Sequence, residues 1–439
     1  MLIASNPAPI TFGQGRPMPH INRLLASVSV CAGMVVTAAM GGCQEGHEPA
    51  ISTSAPVKPA EIRGVWVATV ANIDWPSSKG LTDAQRRTEV ITILDQAKSI
   101  GLNTIFFQVR PTGDAMYRSD LEPWSEFLTG ASGVGPADGS DPLEEWITLA
   151  HSRGIELHAW INPYRVGHPK LTGPQSATHP SNALSSVTRE YGEYKWMDPG
   201  EDIAKEHTLK VVEDLCRRYE LDGIHVDDYF YPYPVNDKSG KRMDFPDESA
   251  WSAYQSTGGK LSRDNWRRGN IDNLIVELGT RSKAAARGRN PARPLTLSIS
   301  PFGIWRPGFP AGVKGFDAYA GLYADARKWV NEGTIDVVVP QLYWKIDAPE
   351  QPYVPLLDWW ESQRSPKVRL AVGLNASRIG VEGPKGFLAS EITRQIEIAR
   401  GKKGASGYVL FSMKPLLEDR DGIAGKVRGL NEGVNAESR

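Results

Sequence analysis

Cysteine is nearly missing, with Cys31, Cys43 and Cys216 the three in a chain of 439 residues, so a disulfide-stapled scaffold is excluded. A surplus of either charge is missing too. With 50 basic side chains against 51 acidic ones, nothing in the global balance calls for nucleic acid or another polyanion as partner. The part of the chain that reads as folded also lacks GxxxxGK followed by Ser or Thr, and it lacks GxSxG. Those absences remove the phosphate-binding loop and the nucleophile elbow. What is present is 40% hydrophobic and 23% charged, long enough for one large domain or two ordinary ones and too apolar for disorder. Its outlier is tryptophan: 13 residues, all from Trp66 onward, are flat amphipathic rings to bury or to offer to a ligand.

The N-terminus reads as a targeting segment. From Leu24 to Gly42 no charge appears, and Arg16 and Arg23 supply the positive flank of a secretory signal, for which Met18 is a better-proportioned start than Met1. The run ends in Met40-Gly41-Gly42-Cys43, which resembles a bacterial lipoprotein box despite methionine where leucine is usual. Cys43 is the expected lipidation site, with ordinary secretion as the alternative, and Gln44 after it favours the outer membrane of a diderm cell. With Cys31 removed and Cys43 acylated, only Cys216 remains, and no intrachain disulfide can form. The sequence therefore divides into a signal with lipoprotein box over 1–43, a Ser-, Pro- and Ala-rich tether over 44–60, a folded body over 61–430 and a polar tail over 431–439. The expected location is the cell envelope, lipid-anchored and facing the periplasm.

From Glu61 onward, apolar β-rich runs alternate eight times with helical periodicity. The strands are expected at 63–69, 104–110, 156–162, 223–228, 295–300, 336–342, 369–375 and 407–413. Helices are expected at 83–99, 142–153, 202–219, 270–286, 318–332 and 390–400. This order predicts an α/β fold, a (β/α)8 TIM-type barrel, with a doubly wound open sheet as the runner-up. Helix-to-strand turns are short and carry glycines at Gly101, Gly154, Gly223 and Gly333. Strand-to-helix connections are long at 111–141, 163–201 and 229–264, so the C-terminal face, where barrel enzymes keep their sites, is the elaborated one.

The densest constellation is DGIHVDDYFYPYP, Asp222 to Pro234, across the end of the fourth strand. Alternation puts His225 and Asp227 on one face and Ile224 and Val226 on the other, so the polar pair is expected to look into the barrel mouth. Asp228 stands at the rim, either as a second site carboxylate or as a brace for the following loop. Two such carboxylates are candidates for nucleophile, general acid or electrostatic stabiliser. Neighbouring strand ends offer Trp66, Gln108, Arg110, Asp114, His158 and Trp160, then Asn162, Tyr164, Arg165, Trp305, Arg306, Gln341, Tyr343, Trp344 and Asp347. Arginines there can orient carboxylates or hydroxyls, and aromatic rings can stack on sugar faces, although each tryptophan alone fits the core as well. A metal site built on His158, His225, Asp227 and Asp228 is the competing chemistry, but the first strand has no His-x-His pair and no later strand adds a histidine. Neither a metal nor a cofactor is expected.

The segments EIRGVWVATVANIDWPS, GLNTIFFQVRPTGDAMYRSDLEPWSEFLTG, HAWINPYR, DGIHVDDYFYPYP, SISPFGIWR and VVVPQLYW together resemble the glycosyl-hydrolase-like family 10 lipoproteins, over nearly the whole span from Glu61 to Leu417. That group includes the divisome-associated glycosidase that acts on peptidoglycan. The resemblance implies a barrel that hydrolyses glycan strands, peptidoglycan chains stripped of stem peptides, and places Asp227 and Asp228 in the active site. A divisome partner, left unnamed, belongs to the same expectation. DGIHVDD also looks like the chitinase motif DGxDxDxE, but Tyr229 stands where that motif has its catalytic Glu, so chitinase chemistry is not carried over.

The reading is a glycosidase, retaining or inverting, in which Asp227 and Asp228 contribute one essential carboxylate. A second acid is expected from Asp347, Glu126 or Asp114, in that order. His225 would tune Asp227 or bind a hydroxyl, and Arg110 and Arg165 would hold lactyl or acetamido groups. Trp66, Asn162, Tyr164, Tyr229, Trp305, Gln341, Tyr343 and Trp344 complete the expected substrate contacts. The alternative is a non-catalytic glycan-binding lipoprotein on the same barrel.

Overall fold

The computed structural model describes residues 60–288, 294–383 and 385–437. The expected signal segment, Cys43 and the expected tether up to residue 59 lie outside them. Eight strands, Ile62–Val67, Thr104–Arg110, Glu156–Ile161, Gly223–Val226, Thr296–Ile299, Val337–Val338, Arg369–Leu374 and Ala405–Leu410, run parallel, each paired with the next. The last pairs with the first, with Ile62 beside Gly407 and Val65 beside Leu410, so the sheet closes. The (β/α)8 barrel expected from the alternation is the architecture, and the open sheet is excluded.

Alternation along the strands separates two apolar layers. Trp66, Phe106, Trp160, Val337 and Val409 fill the barrel interior, while Val65, Phe107, Leu157, Ile224 and Val226 pack beneath the helices. The helix Asp83–Ile100 shows how sequence sets an element's ends. Thr82 and Gln85 form a reciprocal capping box at its start, and Gly101, with φ +83°, stops it in the left-handed conformation. Gly223 has a different task from the helix stop expected of it. The helix Asp202–Arg218 has already ended, and Gly223 opens strand four where a Cβ would lie 2.3 Å from the His158 ring.

Other boundaries differ for local reasons. The helix expected over 318–332 is two, Ala318–Gly321 and Ala326–Glu332, because Asp325 caps a fresh start by accepting from the Lys328 amide. The one expected from residue 270 begins at Arg263, after its Ser262 cap. Tyr353–Gln363 is an unexpected helix whose Pro355 is tolerated because first-turn amides have no helical partner. The long connection after strand three folds into its own antiparallel sheet of Arg165–Gly167, Thr188–Tyr191 and Tyr194–Met197. The last helix runs Ile423–Glu437, and Asn431 within it donates to the Ile100 carbonyl and accepts from Arg400 and Tyr408.

Strand two carries a bulge that redirects one expected site residue. The register with strand three shifts between Gln108 and Arg110, so Arg110 lies beside the outward-facing Ile161 instead of continuing the inward row of Phe106 and Gln108. Arg110 donates through Nε and Nη2 to Glu122 at 2.8 and 2.5 Å and through Nη1 to the Asn162 carbonyl. His207 Nε2 stands 2.8 Å from the same Glu122 carboxylate. Arg110 and Glu122 are fully buried, so Arg110 ties down the loop after strand two and reaches no substrate, contrary to its expected role. Burial works against the Glu122 anion, yet Arg110 and His207 outweigh it and hold the carboxyl down to about 2.

Glu122→Ala therefore strands a buried guanidinium, and we expect denaturation at pH 7 to show a loss of about 3–5 kcal/mol. Because the folded carboxyl titrates near 2 against an ordinary 4.5, that loss should be complete above pH 4.5 and shrink as pH falls toward 2. A variant with unchanged stability and a weakened substrate interaction would restore Arg110 to the site.

Candidate active site

Strand four ends at Val226, and the turn that follows decides the site. While the strand lasts, His225 faces inward and Ile224 and Val226 face the helices; after it, Asp227 and Asp228 both enter one cleft of about 320 Å³ at the C-terminal mouth of the barrel. The cleft is walled by Trp66, Gln108 and Trp160 from strands one to three, and by Ser300, Gln341 and Phe411 after strands five, six and eight. Arg165, Tyr229 and Tyr343 complete the meeting of expected residues.

The two carboxylates are held differently. Asp227 accepts from the Trp160 indole at 3.1 Å, the Tyr229 amide at 3.0 Å and, more weakly, the Asn162 side chain at 3.4 Å. Asn162 is itself aimed by the Arg165 amide, which donates to its Oδ1 at 2.8 Å. The Arg165 guanidinium is fixed over the Tyr229 ring by two bonds to the Pro111 carbonyl, and its charge favours the Asp227 anion. Asp228 accepts from the Tyr233 hydroxyl and from Gln341. Burial raises both carboxyls; the Asp227 charge beside it helps lift Asp228 to about 7. Donors and cation collect around Asp227, so the pair carries its charge there and its proton on Asp228.

Below the pair, His225 is held neutral. The Trp66 indole, which can only donate, reaches His225 Nε2 at 3.0 Å, so Nε2 is the acceptor and Nδ1 carries the hydrogen that goes to Ser298 Oγ at 2.8 Å. Burial, with His158 nearby, keeps the His225 pKa well below the ordinary range. His225 is fully buried and touches neither cleft nor carboxylate, so it positions Trp66 rather than tuning Asp227 or binding a hydroxyl. Gln108 is a contact the expected set omitted. Its Oε1 accepts from the Thr69 and Val70 amides at 3.0 and 2.9 Å, which turns Nε2 the other way, without a partner among the described residues. That nitrogen is a donor waiting at the cleft wall.

The remaining expected residues lie elsewhere. Glu126 accepts from Lys79, the Thr172 amide and hydroxyl and the Gly173 amide, so it braces two loops; although burial opposes it, these contacts hold its carboxyl below the usual range. Asp114 closes a local turn with Thr112. Tyr164 is fully buried, and Trp305 donates to Asp325 and stacks on Trp359; neither lines the cleft. Asp347 and Trp344 line a second hollow that shares Tyr343 with the first and also contains Lys345, Arg378 and Lys385. Tyr233, Tyr194 and His168 were not among the expected contacts yet line the cleft. Tyr233 sits inside the DGIHVDDYFYPYP motif, whereas the other two arrive on or beside the small sheet, whose only sequence signal is the short turn around Gly192.

The family described as Glycosyl hydrolase-like 10 matches residues 61–385. Glycosyl hydrolase YngK of Bacillus subtilis (strain 168) is 36% identical over 376 residues, covering 83% of this chain and 70% of that protein. Glycosyl hydrolase DigH of Escherichia coli (strain K12) is 32% identical over 395 residues, covering 83% and 85%. Among solved structures, the glycoside hydrolase domain of PgaB (BpsB) from Bordetella bronchiseptica superposes with a TM-score of 0.56 at 16% identity, covering 84% of this chain and 98% of that one. The catalytic domain of β-amylase from Paenibacillus polymyxa gives 0.51 at 14%, covering 87% and 100%. At these identities the structural likeness speaks for the barrel alone.

The division of charge is testable directly. In carbon-13 NMR of aspartate-labelled protein, Asp228 should titrate near pH 7, and Asp227→Asn should lower that midpoint by about one unit or more by removing the like charge. The midpoint should still stay above the ordinary range, because burial is the larger cause. An unshifted Asp228 would mean that the two groups do not share a site.

Proposed function

The chain belongs to the glycosyl hydrolase-like 10 family and is a glycosidase, and on that premise we propose that it cleaves peptidoglycan glycan strands from which the stem peptides have been removed. The observation that carries the reading is the carboxylate pair in an aromatic-walled cleft at the barrel mouth, one member protonated near neutrality and the other ionised. Asp228 has the proton that a departing sugar oxygen needs. Asp227 has the charge that steadies a positive anomeric centre. Trp66, Trp160 and Phe411 offer faces for the apolar sides of sugar rings, and Gln108 Nε2 and Arg165 offer donors for their substituents.

The hollow beside the cleft favours the stripped substrate. A muramic acid residue without its stem peptide ends in a free lactyl carboxylate, whereas one with a peptide has that group tied up as an amide. Lys345, Arg378 and Lys385 put three cations in the hollow against the single carboxylate of Asp347, which suits an anionic substituent on the sugar next to the cleavage point. Lipidation at Cys43 and the tether after it would keep the barrel in the periplasm, within reach of the wall.

The purified protein, incubated with peptidoglycan glycans with and without stem peptides, should shorten only the stripped chains, as resolved by mass. Its kcat/KM should fall about tenfold per unit above pH 7, where Asp228 loses its proton. Asp228→Asn should cost about 10²–10⁴ in rate and remove that limb. Arg378→Gln with Lys385→Gln should raise KM roughly tenfold, about 1.4 kcal/mol, with kcat kept. Strands that are bound but never shortened would turn the reading to a glycan-binding protein, and equal cleavage of peptide-bearing strands would remove the proposed selectivity.

A further inference from the structure

We propose that the sugar bound at the cleavage point supplies its own nucleophile: its 2-acetamido carbonyl oxygen attacks the anomeric carbon, with Asp227 steadying the amide and Asp228 protonating the leaving oxygen. This rests on the glycosidase reading of the same cleft. Its first ground is an inventory, since Asp227 and Asp228 are the only carboxylates lining the cleft among the described residues. The acids expected to join them are committed elsewhere or stand apart, Glu126 in its brace, Asp114 in its turn and Asp347 in the neighbouring hollow.

The second ground is direction. A two-carboxylate mechanism sets its acids on either side of the scissile bond, about 5–5.5 Å apart for retention or about 6.5–9.5 Å for inversion. Asp227 and Asp228 both enter the cleft from the end of strand four, and no carboxylate among the described residues faces them from another wall. Asp227 is also poorly placed to attack. One oxygen is taken by the Trp160 indole and the other by the Tyr229 amide and Asn162. A carboxylate so held is suited to accept one more N–H and to balance a positive charge next to it. The third ground is that Tyr343 lines the same cleft as a neutral phenol, since burial and the two carboxylates keep it protonated. It is a donor for the acetamido oxygen.

In the first step the carbonyl oxygen forms a bond to C1 while the glycosidic C1–O bond breaks; its electron pair stays on the departing oxygen, which takes the Asp228 proton. The amide hydrogen remains on nitrogen and is shared with Asp227, which offsets the charge of the five-membered oxazolinium ring. In the second step water adds to C1 on the face the leaving sugar vacated and gives a proton to Asp228. The ring C1–O bond breaks, the acetamido group is restored, and the anomeric configuration is retained. In the chitinase-type pattern the acid is missing at Tyr229; here the end of strand four at Val226 brings Asp228 in instead. The substrate class follows: the sugar at the cleavage point must carry a 2-acetamido group.

The test uses the intact protein, stripped glycans with the ordinary N-acetyl group or with N-trifluoroacetyl in its place, and a thiazoline analogue of N-acetylglucosamine. Expected are retention by proton NMR, a rate drop of at least a hundredfold on trifluoroacetylation, and thiazoline binding by calorimetry that weakens at least tenfold in Asp227→Asn. Cleavage with inversion, a rate indifferent to fluorination, or trapping of a 2-fluoro sugar on Asp227 would overturn this mechanism and leave the glycosidase standing. No cleavage of any glycan, with no thiazoline binding, would overturn both.

Discussion

Two neighbouring carboxylates buried at the mouth of a closed barrel cannot both stay ionised, and most of the surrounding polar structure settles which one does. Trp160, Asn162, the Tyr229 amide and Arg165 converge on Asp227, while Asp228 is left with a phenol and an amide. These partners come from strand three, its following loop and the loops after strands four and six. The asymmetry of the pair therefore depends on barrel closure, because only a closed sheet brings those strand ends around one opening. The same closure explains the layer beneath. Trp66 reaches across to His225, and Ser298 fixes the imidazole from its other side, so His225 adds no charge below the pair.

The long loops need their own supports because they leave the barrel's hydrogen-bond ladder. Each support is a carboxylate or cation satisfied several times over: Glu122 by Arg110 and His207, Glu126 by Lys79 and the loop at Thr172, Asp74 by the Ala68 and Lys414 amides and the Ser412 hydroxyl. Asp74 joins the connections after strands one and eight and so stands at the seam where the barrel shuts. These groups look catalytic in a list of strand-end residues, since each is acidic, buried and near the mouth. Their contacts separate them from the cleft pair. All of their oxygens are consumed within the protein, whereas the cleft leaves Gln108 Nε2 without a protein partner among the described residues.

The barrel was legible because its signals are local and repeated: alternation within strands, amphipathic period within helices, glycine at helix stops. Alternation set His225 and Asp227 on the inward face, and position at the strand ends offered Trp66, Gln108 and Trp160. It cannot say how far up the barrel a side chain sits, and so His225, one layer below Asp227, looked like a contact. Nor does it survive a bulge: one extra residue before Arg110 turned that side chain outward. The cleft residues carried by the small sheet after strand three, His168 and Tyr194, were beyond reach because their position depends on how an irregular loop folds back, which no period encodes. The family resemblance directed attention to the acidic pair, which the structure places in the cleft, but not to the way its charge is divided.

That division has a cost set by linkage. A carboxyl whose folded pKa is raised disfavours folding progressively as pH climbs from its ordinary value toward the folded one, so Asp228 does so between 3.8 and about 7 and Asp74 between 3.8 and about 6. Glu122 works in the opposite sense, favouring the fold above pH 4.5 and losing that effect toward pH 2. On the proposed mechanism the barrel carries its strained carboxylate where an acid must keep a proton near neutrality, and a tightly paired carboxylate in the loop after strand two works against that cost. On the same proposal, a cleft with both acids at ordinary pKa values would fold more readily and would have no proton to give. A raised pKa alone does not mark the site, because burial also lifts Asp198 to about 7 and Asp74 to about 6; what sets Asp228 apart is its place in the cleft beside a second carboxylate.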